Sequence, residues 1–175
     1  MYIQEDNARR YTVGVLVDNE PGVLSRVSGL FSRRGFNIES LTVGTTMDPQ
    51  VSRITIVVKG DEAKIEQLVQ QLYKLICVQK VQVMKPRNSV ERQLLLVKVK
   101  ADVTDREGLM RLVDIFKAKV LDVTRASMTL QITGENDKIA SMLSLLEDYG
   151  ILELVRTGIV ALERGDGVMT SDIFD

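Results

Sequence analysis

Histidine is absent from the 175 residues, and cysteine occurs once, at Cys77. A Ser-His-Asp or Cys-His nucleophile therefore cannot be assembled, nor can a His-ligated metal site. Cys77 stands in the apolar run LICVQKV with no neighbouring base, which reads as a buried, inert thiol. Carboxylates are plentiful but sit at helix surfaces and turns, and nothing marks an acid–base pair among them. What remains is recognition chemistry, concentrated in NEPGVLSRVSGLFSRRGFNI at residues 19–38. Asn19 is of the N-cap type, Pro21 suits a first helical turn, and Gly22 puts no side chain over the helix start. The N–H groups of Gly22, Val23 and Leu24 are then expected to face open space. There, unpaired donors and the helix dipole attract a carboxylate or phosphate. On residues alone the turn reads equally as an ordinary capped helix. Asn37 offers an amide donor and a carbonyl acceptor, and Leu24 and Ile38 could line a small apolar recess. An α-amino acid supplies the matching carboxylate, ammonium and side chain. Taken singly, Asn37 reads first as a turn residue following Gly35.

The elements that must position these groups follow from periodicity. Tyr11, Val13, Val15 and Val17 share one face of a strand, with Thr12, Gly14, Leu16 and Asp18 on the other. Val23, Leu24, Val27, Leu30 and Phe31 form a helical stripe, and Gly35 is a natural residue just past the helix end. Strands are predicted over 36–46, 51–59 and 76–84, with a second helix carrying Ile65, Leu68, Val69 and Leu72. The order β-α-β-β-α-β is that of a ferredoxin-like unit, with strands one and three central. The Asn19 turn is expected to open beside the start of strand two.

The order recurs after KPRNS. Strands are predicted over 93–101, 119–123, 127–133 and 151–155, with helices through Leu109–Phe116 and Ile139–Leu146. Thr104-Asp105-Arg106-Glu107 reads as a capping box, and 158–162 as an extension or partner of the preceding strand. The fold class is α+β, two ferredoxin-like βαββαβ domains in tandem. The expected boundaries are 10–86, a linker at 87–91, 92–165, and a loose tail at 166–175; residues 1–9 are expected to fray.

Net charge is -1, from 23 basic and 24 acidic residues, which argues against a surface built for nucleic acid or anionic membrane. No apolar run approaches the roughly 20 residues of a membrane span. The N-terminal residues lack a secretory pattern, and a lone cysteine fits the reducing cytoplasm. An RNA-binding use of this fold would want aromatics on the central strands, and VSRITIVVK has none.

The run NEPGVLSRVSGLFSRRGFNIESLTVGTT, followed by SRITIVV and GDE, resembles the ACT domain of acetolactate synthase small subunits. VERQLLLVKV, IFKAKVLDVT and RTGIVALERGD resemble that family's C-terminal domain. The resemblance implies a non-catalytic regulatory subunit and homodimerisation through the ACT domain. It further implies partnership with a large subunit that uses thiamine diphosphate, magnesium and FAD to condense pyruvates in branched-chain amino acid synthesis. No cofactor is expected in this chain. Feedback inhibition by a branched-chain amino acid, usually valine, is implied. The effector contacts would be Asn19, Gly22, Val23 and Leu24 of one chain with Asn37 and Ile38 of the other. The alternative is an ACT sensor of an amino acid that serves a different enzyme.

Overall fold

The computed structural model describes residues 9–169, which divide into two compact units. The first comprises the described residues up to Val90 together with those from Ile159 onward; the second is Glu91–Gly158.

In the first unit, β1 (Arg9–Asp18), α1 (Val23–Arg33), β2 (Ile38–Thr45), β3 (Val51–Gly60), α2 (Glu62–Leu72) and β4 (Val78–Met84) follow in order. The antiparallel sheet has the order β2-β3-β1-β4, so β1 and β3 are central as expected and β2 is an edge. Val13, Val15 and Val17 of β1 pair with Ile56, Ile54 and Ser52 of β3. Their inward side chains pack on Val27, Phe31 and Leu68 of the helices, all fully buried. The end of α1 is a Schellman turn: Gly35 takes φ 70, its N–H bonds to Ser32 O, and the Phe36 N–H bonds to Phe31 O. The Phe31 and Phe36 rings meet edge to face, centroids 6.1 Å apart, which sets the direction in which the chain enters β2.

Several local expectations are corrected. Leu24 does not join the buried stripe and is 43% exposed. Cys77 lies in the turn before β4, not within a strand, though it is buried and its carbonyl accepts from Asp18 N–H. The helix α2 is capped by Asp61, whose carboxylate accepts from Lys64 N–H at 2.8 Å.

The second unit contains most of β5 (Ser89–Lys100), then α3 (Arg106–Phe116), β6 (Lys119–Val123), β7 (Ser127–Gly134), α4 (Asn136–Glu147) and β8 (Ile151–Arg156), in the sheet order β6-β7-β5-β8. Its core gathers Leu95, Leu109, Leu130, Ile139 and Leu146. The expected Thr104 capping box does not form. Instead Asp102 Oδ1 accepts from Thr104 Oγ1 at 2.7 Å, Thr104 N–H at 3.0 Å and Asp105 N–H at 3.3 Å, while Glu107 pairs with Arg111. Thr104 lies one residue upstream of the cap position, Asp105, and its hydroxyl donates to Asp102.

A short 3-10 turn, Pro86–Asn88, precedes β5, so the expected linker is half turn and half strand. The last strand, β9 (Val160–Glu163), neither extends β8 nor pairs with it, the two expected alternatives; it pairs with β5, whose first residues Ser89 and Val90 belong to the first unit. Described residues from Ile159 onward pack with the first unit. They bury Ile159 and Ala161, to 4% and 3% exposure, and lay the Met169 sulfur beside Gly14. Residues 1–8, and 170–175 of the expected loose tail, lie outside the described residues.

Candidate functional site

Helix α1 begins at Gly22, which holds φ 83 and ψ -8, with no side chain capping the helix. Only glycine adopts this left-handed geometry without strain, and a Cβ built here would meet nothing within 4 Å. The turn therefore opens to solvent. Among the described residues, the N–H groups of Gly22 and Leu24 have no hydrogen-bond acceptor, and that of Val23 has only a long bond of 3.4 Å to Glu20 O. Val23 itself is buried at 4% exposure, so it can offer a ligand its N–H but not its side chain. Leu24, on the exposed side of the same turn, can offer its side chain.

Asn19 does not cap this helix, contrary to its type. Its Nδ2 donates to Pro49 O at 2.8 Å and its Oδ1 accepts from Ser52 Oγ at 3.1 Å, while its own N–H donates to Gln50 O at 2.7 Å. The side chain is thereby spent on fastening the β1–α1 turn to the β2–β3 hairpin. That hairpin is itself rigid: Thr46 Oγ1 accepts from Asp48 N–H, and Asp48 Oδ1 accepts from Gln50 N–H. Sequence reasoning missed Ser52 and the hairpin as supports, since nothing local links them to Asn19.

Asn37 and Ile38 stand beyond the other end of α1. Asn37 is exposed, and its side chain has no hydrogen bond among the described residues; Ile38 is half-buried against the core. Eleven helical residues separate the two groups, a span of about 16 Å at 1.5 Å per residue. The Asn19 turn therefore opens beside the end of β2 and not beside its start, because β1 and β2 both pair antiparallel with β3 and so run the same way. One amino acid cannot touch Gly22 and Asn37 of the same chain.

A groove of about 430 Å³ lies elsewhere, between α2 and the neighbouring strands, lined by Tyr11, Ile65, Val69 and Val83 with Glu62 and Glu66. It includes none of the six expected contacts. Among the described residues no helix is long and apolar enough to cross a membrane, and no cluster of three or more His, Cys, Asp or Glu could hold a metal ion.

Residues 13–80 match the family model for the AHAS small subunit-like ACT domain, and residues 92–165 match that for the small subunit of acetolactate synthase. A protein of Archaeoglobus fulgidus described as a probable acetolactate synthase small subunit is 50% identical over 157 residues, which is 90% of this chain and 98% of that one. The chain belongs to the acetolactate synthase small-subunit family. The acetolactate synthase small subunit of Mycolicibacterium smegmatis is 48% identical over 89% of this chain and 91% of its own length. The crystal structure of the Thermotoga maritima small subunit superposes with a TM-score of 0.86 at 44% identity, covering 91% of this chain and 99% of that one. Within this family residues 13–80 form the ACT domain, and the Gly22 turn lies inside that span.

Proposed function

We infer that this chain is the regulatory subunit of an acetolactate synthase. It assembles in the cytoplasm with a catalytic subunit carrying thiamine diphosphate, magnesium and FAD, raises that subunit's activity, and confers inhibition by a branched-chain amino acid, foremost valine. The observation that carries this reading is the open Gly22 turn inside an ACT domain whose relatives are named as small subunits of that enzyme.

The geometry supports a site completed by a second copy. Strand β2 is a sheet edge that pairs only with β3 among the described residues. Antiparallel joining of two such edges would set the start of each β2 beside the end of the other. It would thus bring Asn37 and Ile38 of one copy to the Gly22 turn of its partner, and it would cover the edge. The ligand carboxylate then meets the N–H groups of Gly22, Val23 and Leu24. Its ammonium meets the Asn37 carbonyl oxygen, and its side chain rests on Leu24 and Ile38. Asn19 fixes the turn through Pro49 and Ser52. In the second unit the residue before the cap, Thr104, and the cap residue, Asp105, both donate to the carboxylate of Asp102, so a carboxylate already stands beside the start of α3.

The test is an assay of the catalytic subunit with and without this chain, and with and without valine, leucine or isoleucine, beside a calorimetric titration of the chain alone. The expected result is activation by the chain, inhibition restored by one of the three, and one ligand bound per chain. No activation and no binding would refute the reading.

A further inference from the structure

The outer face of the ACT sheet, opposite the helices, is buried although no helix covers it. Thr12, Leu16, Thr55 and Val57 are all under 6% exposed there. Residues 159–164, the return segment of the chain, cover it and engage the strands in turn. Ile159 N–H donates to Ser40 Oγ of β2 at 2.8 Å. Arg53 of β3, its pKa lowered by burial, donates to Ala161 O at 2.9 Å. Glu163 accepts from Gln82 of β4 at 2.7 Å and from Asn88 at 2.9 Å. Arg164 donates to Asn88 O through its N–H and to Ser89 O through Nε. The chain leaves the first unit after Val90 and returns at Ile159, so Asn88–Ser89 and Glu163–Arg164 clamp the outgoing and returning strands together.

We propose that this segment is a strap that transmits the state of the β2 edge to the Glu91–Gly158 unit, with Ser40 as its coupling residue. The proposal rests on the effector site inferred above and names how that site is read out. Three features carry it. The first bond of the strap is made by Ile159, the residue directly after the second unit ends. Its acceptor lies on β2, two residues on from Ile38 but on the opposite face, because the β2–β3 pairing slips between Ile38, opposite Val58, and Ser40, opposite Val57. Glu39, at that slip, is held by Lys59 at 2.8 Å and Arg10 at 3.8 Å, so a shift at Ile38 is passed along β2 instead of being absorbed by a loose residue. A ligand that favours one setting of β2 then favours one setting of Ile159, which is the differential interaction that signalling requires.

The experiment uses the full chain with its catalytic partner and compares Ser40→Ala, which removes the acceptor, with Ser40→Thr, which keeps a hydroxyl. The alanine variant is expected to bind valine within about twofold of the parent. The activity surviving saturating valine should nevertheless rise about fivefold, the lower end of usual coupling strengths. Threonine should restore inhibition. Unchanged inhibition in Ser40→Ala would overturn the strap, as would loss of valine binding in that variant, which would make Ser40 a support of the site. If the parent chain binds no branched-chain amino acid, the effector site itself fails and the strap's role falls with it. The titration of the parent chain separates these outcomes.

Discussion

Replacing Gly22 with aspartate tests the effector site most directly. The structure separates two effects of this change. The backbone at Gly22 has φ 83, where an L-residue costs about 1–2 kcal/mol. Asp is among the residues that bear it best, so about 1 kcal/mol is expected, or about 4–8 °C in Tm for a unit of this size. No clash adds to this, since nothing lies within 4 Å of the new Cβ. The fold is therefore retained. The new carboxylate stands where the ligand carboxylate is to bind. Two unit charges 4 Å apart at a near-surface dielectric repel by about 4 kcal/mol. If solvent screens half of that, affinity still falls about 30-fold. Gly22→Asn carries the same backbone strain without the charge and should lose far less. Calorimetric titration with valine, paired with thermal unfolding of each variant, measures both terms. Unchanged affinity in Gly22→Asp would refute placement of the ligand carboxylate at this helix start. Equal losses in the Asp and Asn variants would refute the electrostatic argument.

Asn37→Ala should leave the Tm of the chain unchanged, because the side chain is exposed and has no hydrogen bond among the described residues. It should weaken valine binding by about 1–3 kcal/mol, the usual cost of unpairing a group against a charged ligand; a stability loss without an affinity loss would make it a turn residue only. Asp102 has its pKa lowered, first by the hydroxyl and then by the backbone N–H of Thr104. Its folded pKa thus lies below its unfolded one, so its stabilisation is complete above the usual aspartate range and disappears as pH falls through the folded value. Acid unfolding of Asp102→Asn should therefore show a shallower dependence on pH in that window than the parent chain, and identical acid limbs would contradict the assignment.

Much of the architecture was legible because it is written in short-range periods. Alternating valines in β1, the helical stripe through Val27 and Phe31, and Gly35 with Phe36 after it specify strand, helix and Schellman turn from neighbouring residues alone. The openness of the Gly22 turn was also legible, since glycine there leaves nothing to fill the space. The two misassigned caps have one cause. Asn19 and Thr104 have capping side chains, but capping is a competition among nearby partners, and Pro49 with Ser52 claims the one while Asp102 claims the other.

What the sequence determined by itself was the identity and order of the elements in both units, because local pattern and local sterics suffice for those. What only the tertiary structure decided was the partner of each surface. Ile159 and Ala161 alternate with exposed Val160 and Leu162, which says strand but not against which sheet. Leu16 and Val57, at outward positions of central strands, are buried in the fold, and nothing local to either residue says what covers them. The answer, a return segment bonded to Ser40 from 119 residues away, lies beyond any period a local reading can detect. It is settled only when burying that second face repays the closing of so long a loop.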